Sequence, residues 1–145
     1  MFADTEGSFL ARRAEQIATG TSEYIRRKID GQQQRMAAQG KSFNPGPLPT
    51  VDMLLDNIHV FRVYDHVEQL ATIKALPAFL KSHPNVHLII IDSVAFHFRR
   101  GFTDMGLRSR LLTGMAQELL HLANQHQLAV SAERELAASD CLHVC

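Results

Sequence analysis

The chain has 145 residues, 46% of them hydrophobic, which is enough for one domain with a core of its own. Fifteen Lys and Arg balance fifteen Asp and Glu, so no global field draws nucleic acid, and such binding would need a local patch. No apolar run approaches the ~20 residues of a membrane span, and the first residues lack a signal-peptide core, which predicts a soluble, intracellular chain.

Residues 2–9 read as a short strand passing through an acidic turn, Asp4-Thr5-Glu6-Gly7, toward a helix. In that helix Leu10, Ala14, Ile17, Thr21 and Ile25 recur at helical spacing, while Arg12, Arg13, Glu15, Glu23, Arg26 and Arg27 take other faces. Glu6 stands where strand gives way to helix. Its carboxylate has two readings. It favours the positive end of the helix, worth up to about 1 kcal/mol, or it points off the carboxyl edge of a sheet and polarises a water for attack on a γ-phosphate.

Residues 29–50 hold Gly31, the three consecutive glutamines 32–34, Gly40 and the run Asn44-Pro45-Gly46-Pro47-Leu48-Pro49, with too little apolar surface to order themselves. They predict a flexible surface insertion. Within it, Gly40-Lys41-Ser42 imitates the end of the phosphate-binding loop G-x-x-x-x-G-K-[ST]. Arg35 occupies the position that needs the first glycine, no buried strand precedes it, and the prolines prevent a following helix. The match is rejected.

Residues 51–55 predict a helical turn and residues 58–63 a second strand. Asp65 opens a helix through Val67, Leu70, Ala71, Ile73 and Lys74, kinked or restarted at Pro77 and ended by His83-Pro84-Asn85. The apolar, β-branched run of residues 86–91 reads as a strand buried on both faces, central in a parallel sheet. Asp92 and Ser93 end it. The carboxyl edge of an open α/β sheet is where ligands bind, so an acid there is placed to meet a phosphate-bound cation. The plainer reading is an aspartate capping the turn after the strand.

Residues 96–104 form a loop at that edge, and Leu107, Leu111, Met115, Leu119, Leu122 and Ala123 mark a further helix, with Arg108 and Arg110 near its start read as solvated. Leu128-Ala129-Val130 begins a fourth strand that stops early, leaving residues 131–145 as a divergent tail. There Cys141, His143 and Cys145 leave a tetrahedral zinc site incomplete and predict a frayed, reduced end. No histidine pair has metal-ligand spacing, and no nucleophile–histidine constellation assembles. The alternation of strands and helices predicts an α/β fold, a mostly parallel sheet with flanking helices over residues 1–130.

Three segments occur in a telling order: Asp4-Thr5-Glu6-Gly7-Ser8-Phe9, Leu88-Ile89-Ile90-Ile91-Asp92-Ser93-Val94-Ala95-Phe96, and Leu107-Arg108-Ser109-Arg110-Leu111-Leu112. Together with Leu76-Pro77-Ala78-Phe79-Leu80 and residues 122–130, they resemble the RecA-like ATPase core of the eukaryotic strand-exchange recombinases and their DNA-repair paralogues. The resemblance implies a partial core of the P-loop NTPase type. Glu6 matches the water-activating glutamate, Asp92 the Walker-B aspartate that holds Mg²⁺ through a water, and Ser93 supports it at the nucleotide. Arg108 and Arg110 fall on matching positions without an implied role. ATP and Mg²⁺ are the cofactors implied for the complete family protein rather than for this chain, and single-stranded or branched DNA the partner implied for that complete protein. Other recombinase paralogues are the implied protein partners, and the nucleus, with the cytoplasm beside it, the implied location.

Family members carry a P-loop strand and helix before the acidic turn, and continue the fourth strand into a polar sensor and DNA-contacting loops. This sequence shows neither. The expectation is a truncated ATPase piece that does not hydrolyse ATP by itself, with a gap where the central P-loop strand belongs. Two other classes compete. One is a non-catalytic interaction fragment that binds recombinase paralogues through helix faces and an unpaired strand edge. The other is an independent small domain of flavodoxin-like type, ranked last because no lysine stands near its last strand.

Overall fold

The computed structural model describes residues 1–99, 102–133 and 142–144. They divide into two compact units, one comprising Met1–Ser8 with His59–Cys145, the other Phe9–Ile58.

The first unit is built on a sheet ordered β2-β1-β3-β4-β5, from β1 (Phe2–Asp4), β2 (Val60–Arg62), β3 (Leu88–Asp92), β4 (Ala129–Glu133) and β5 (Leu142–Val144). The first four strands are mutually parallel, and β5 runs antiparallel on β4. β1 pairs β2 with Asp4 opposite Arg62 and pairs β3 with Asp4 opposite Asp92. Three charged residues of three strands therefore reach the carboxyl edge in one row. Neighbouring described strands are hydrogen-bonded throughout, so the expected gap is not seen among them. β5 takes the outer edge of β4.

Two helices flank this sheet, α3 (His66–Ser82) and α4 (Met105–His126). Each starts at an aspartate whose carboxylate accepts an amide hydrogen bond, Asp65 from Glu68 and Asp104 from Leu107. The Glu68 amide holds the exposed Asp65 carboxyl below its ordinary value. α3 runs through Pro77 without a restart. Ile73, Leu76 and Leu80 are all buried, and their packing holds the helix across the one missing N–H.

The core joins Met1, Ala3, Ile89, Ile91, Leu128 and Val130 of the sheet to Ile73, Leu76 and Leu80 of α3 and Met115, Leu119 and Leu122 of α4. Those strand residues lie on one face, as the pairing of Ala3 with Ile91 and of Ile89 with Val130 requires. β3 is accordingly not buried on both faces. Ile89 and Ile91 are inaccessible, while Leu88 is exposed and Ile90 and Asp92 are half-buried. A continuous apolar run cannot reveal this, because the open face of β3 carries leucine and isoleucine too.

β4 also runs farther than expected. Ser131, Ala132 and Glu133 stay in the ladder opposite Ile90, Ile91 and Asp92, since pairing with a full-length neighbour overrides their weak strand preference. The end of the presumed tail returns as β5, while Cys141 and Cys145 lie outside the described residues.

The second unit contains α1 (Ala11–Ala38) and α2 (Val51–Asp56), which touch each other and are tied by the Ser22 hydroxyl donating to the Pro49 carbonyl at 3.0 Å. Ala14, Ala18, Ser22, Ile25 and Ile29 form the least accessible line along α1, whereas Leu10 and Ile17 are exposed, so the stripe is built on smaller residues than the periodicity of large apolar ones suggests. α1 also occupies the first part of the expected insertion. The consecutive glutamines 32–34 are good helix formers and only Gly31 opposes the helix there. The helix stops at Gly40, whose φ is +65°. The Lys41 amide donates to Met36 and the Gly40 amide to Ala37, a Schellman closure. The apparent phosphate-loop signature is thus the stop signal of a helix.

No helix among the described residues is long and apolar enough to cross a membrane.

Candidate functional site

The site lies where β1 and β3 end side by side. Thr5 continues β1, and its amide donates to the Asp92 carbonyl at 2.9 Å. The buried Thr5 hydroxyl lies 2.8 Å from the Asp92 carbonyl and 3.0 Å from the Ser93 carbonyl, and it accepts the Ser93 amide at 2.6 Å. One side chain therefore stitches both carbonyls and the following amide of the Asp92-Ser93 step, whose peptide bond is cis.

The acidic turn is closed by Asp4. Its Oδ1 accepts the Gly7 amide at 2.7 Å and the Ser8 amide at 3.0 Å, and stands 3.2 Å from Arg62 Nη1. These charge-assisted contacts compensate a carboxylate that is 4% accessible. Gly7 adopts φ +79°, a conformation that side-chain-bearing residues rarely take.

Glu6 and Asp92 then meet through two serines. The Ser93 hydroxyl donates to Glu6 Oε1 at 2.9 Å, and the Ser8 hydroxyl donates to Asp92 Oδ2 at 3.3 Å. Both carboxylates are half-buried, while Ser93 is 2% accessible. The loop after β3 is fastened beneath them by the Gln69 amide on the Val94 carbonyl and by His97 Nε2 at the Val63 carbonyl, both at 3.0 Å.

The expected trio of Glu6, Asp92 and Ser93 is therefore brought together. Arg108 and Arg110 do not join it in any hydrogen bond or ion pair described. Arg110 is exposed, whereas Arg108 is half-buried, its Nε out of solvent and without a partner among the described residues. Asp4, Thr5, Ser8 and Arg62 were not anticipated as site residues. The spacing of Asp4 to Gly7 is a recognisable turn signal, whereas Arg62 is connected to the site only by strand register.

The donor set is all oxygen, two carboxylates and two hydroxyls, which suits a hard cation such as Mg²⁺. Among the described residues no group of three His, Cys, Asp or Glu could hold a metal. Asp92 is the carboxylate of this edge that could hold such an ion, with waters and substrate oxygens completing its shell.

Residues 20–141 match the family model described as Rad51. The chain belongs to the Rad51 family. It is 38% identical over 134 residues to "DNA repair protein RAD51 homolog 3" of Cricetulus griseus, covering 90% of this chain and 34% of that protein. It is 34% identical to the protein of the same description in Dictyostelium discoideum, covering 90% of this chain and 32% of that one. "DNA repair and recombination protein RadA" of Aeropyrum pernix is 26% identical, covering 95% and 36%. The chain thus spans about a third of the length of these relatives. With membership of the Rad51 family established, the parallel sheet and flanking helices are those of a partial RecA-like core.

Proposed function

We propose that this chain supplies the hydrolytic edge of a recombination-repair ATPase of the Rad51-paralogue type. The observation that carries the reading is the Ser93 hydroxyl on Glu6 beside Asp92 at the carboxyl ends of adjacent parallel strands. Glu6, accepting from Ser93 through Oε1, can take a hydrogen bond from a water and orient it toward a γ-phosphate. Asp92 would hold Mg²⁺ through a water, and Ser93 would support the nucleotide side. Mg²⁺, when bound, neutralises charge that develops on the phosphate oxygens. Thr5 fixes the backbone from which Asp92 and Ser93 project.

The one sequence in the chain resembling a phosphate loop, Gly40-Lys41-Ser42, is spent on closing α1, so ATP hydrolysis by these 145 residues alone is not expected. The names of the relatives support action in DNA repair and recombination; other recombinase paralogues and single-stranded or branched DNA as partners, and the nucleus as location, are part of the proposal. A second reading, a non-catalytic module that binds those paralogues, draws support from Val60, Tyr64 and Val67, three exposed apolar residues on and beside edge strand β2.

Thermal melting with and without Mg-ATP separates the two. Ligand at tenfold its Kd adds about 1.4 kcal/mol, which raises the Tm of a domain of this size by a few degrees. The expected result is a rise that Asp92→Asn abolishes. A melt indifferent to Mg-ATP at millimolar concentration removes the catalytic reading and leaves the interaction module.

A further inference from the structure

Arg62 lies on β2 opposite Asp4, on the strand next to the acidic turn and outside every segment that carried the functional reading. Its Nη1 makes two contacts with one residue, 3.2 Å to Asp4 Oδ1 and 3.2 Å to the Asp4 main-chain carbonyl. The rest of the guanidinium is aimed elsewhere. A Cβ added at Gly7 would stand 2.6 Å from Nη2 and 2.9 Å from Cζ, so the group lies flat against the bare backbone of the turn. Its outer side is 5.3 Å from the centroid of the Tyr64 ring, within cation–π range. Asp4, Gly7 and Tyr64 thus hold the guanidinium on three sides, and Asp4 Oδ1 passes the restraint to the Gly7 and Ser8 amides.

We propose that Arg62 is a positioning residue that fixes the turn carrying Glu6, and so sets where the Glu6 carboxylate meets the Ser93 hydroxyl. The proposal rests on the catalytic reading of Glu6 for its meaning, but the geometry it asserts holds without any nucleotide. Glu6 sits between two anchored positions, Thr5 on the Asp92-Ser93 backbone and Gly7 under the guanidinium. One side of that span is secured by the Thr5 hydroxyl, the other by Arg62. Lysine cannot replace arginine here. A single ammonium reaches Asp4 or covers Gly7, whereas the planar guanidinium does both with separate nitrogens. A role that is only the neutralisation of buried Asp4 would be met equally by lysine.

The test compares the full 145-residue chain with Arg62→Lys and Arg62→Gln by NMR without ligand. Three readings are taken: the Glu6 carboxyl carbon resonance, hydrogen exchange of the Gly7 and Ser8 amides, and exchange at Ile91 as a control. In both variants the Glu6 carbon moves toward its solvent-exposed position and the two turn amides exchange at least about tenfold faster, with Ile91 unchanged. Arg62→Lys keeps the charge and so keeps the fold should Arg62→Gln lose it. A Glu6 resonance at its wild-type position in Arg62→Lys overturns the proposal and reduces Arg62 to a counter-charge. Mn²⁺ broadening at Asp92, read in a separate sample of the wild-type chain, reports the metal site independently. Its absence counts against the catalytic reading while the Glu6 resonance still decides the role of Arg62.

Discussion

Thr5 is the residue on which the site's backbone depends. It is 1% accessible and its hydroxyl bonds three backbone groups of the opposite strand end. Thr5→Val keeps the shape and removes the hydroxyl, leaving the buried Ser93 amide without its acceptor. An orphaned buried donor costs about 1–3 kcal/mol, which urea denaturation would measure as a lowered midpoint at unchanged slope. A loss below about 0.5 kcal/mol would mean that the amide finds another partner. Glu6 and Asp92 can be singled out in the sequence because each is a carboxylate near a strand's carboxyl end, whereas Ser93 is singled out only by the family resemblance. Thr5 and Ser8 stand in the same acidic turn but are ordinary turn residues by type. Arg62 could not be found at all without knowing that residue 62 is opposite residue 4.

Among the elements, α1 shows how one short sequence supports two opposed readings. Gly40-Lys41-Ser42 imitates a phosphate loop, and its glycine instead takes φ +65° to close a helix with two backbone bonds. Among the described residues, its chain neighbours apart, nothing lies within 4 Å of a Cβ added at Gly40, so substitution there meets none of their side chains. Gly40→Ala should therefore cost about 1–2 kcal/mol of helix stability through backbone conformation alone, read as faster exchange at the Gly40 and Lys41 amides. Gly40→Asn should cost less, because asparagine tolerates the left-handed region. Equal losses in the two variants would point to a steric cause. The strands show the opposite effect. Residues 131–133 carry no strand signal of their own, and β3 supplies the ladder that makes them one. Their assignment to a tail fails because local preference is weaker than pairing.

At the scale of the molecule, one face of the sheet and the helices α3 and α4 share a single core. Ile89 lies at its centre with no accessible surface. Ile89→Ala removes three methyl or methylene groups from that packing and should cost about 2–5 kcal/mol, a large share of the ~5–15 kcal/mol that holds a domain folded. Ile90→Ala, on the half-buried face, should cost clearly less. Near-equal losses in chemical denaturation would mean that both faces are packed alike.

The sequence by itself determined the order and type of most elements and the parallel α/β class, and its segments carried the resemblance to the family that the comparisons establish. The elements and the class depend on short-range pattern: an apolar run, a helical period, an aspartate or glycine at a boundary. Only the tertiary structure decided which face of β3 is covered, that residues 131–133 belong to the sheet, and that Arg62 clamps the turn bearing Glu6. These depend on which strand lies beside which and in what register, and register joins residues 58 positions apart that no local pattern relates.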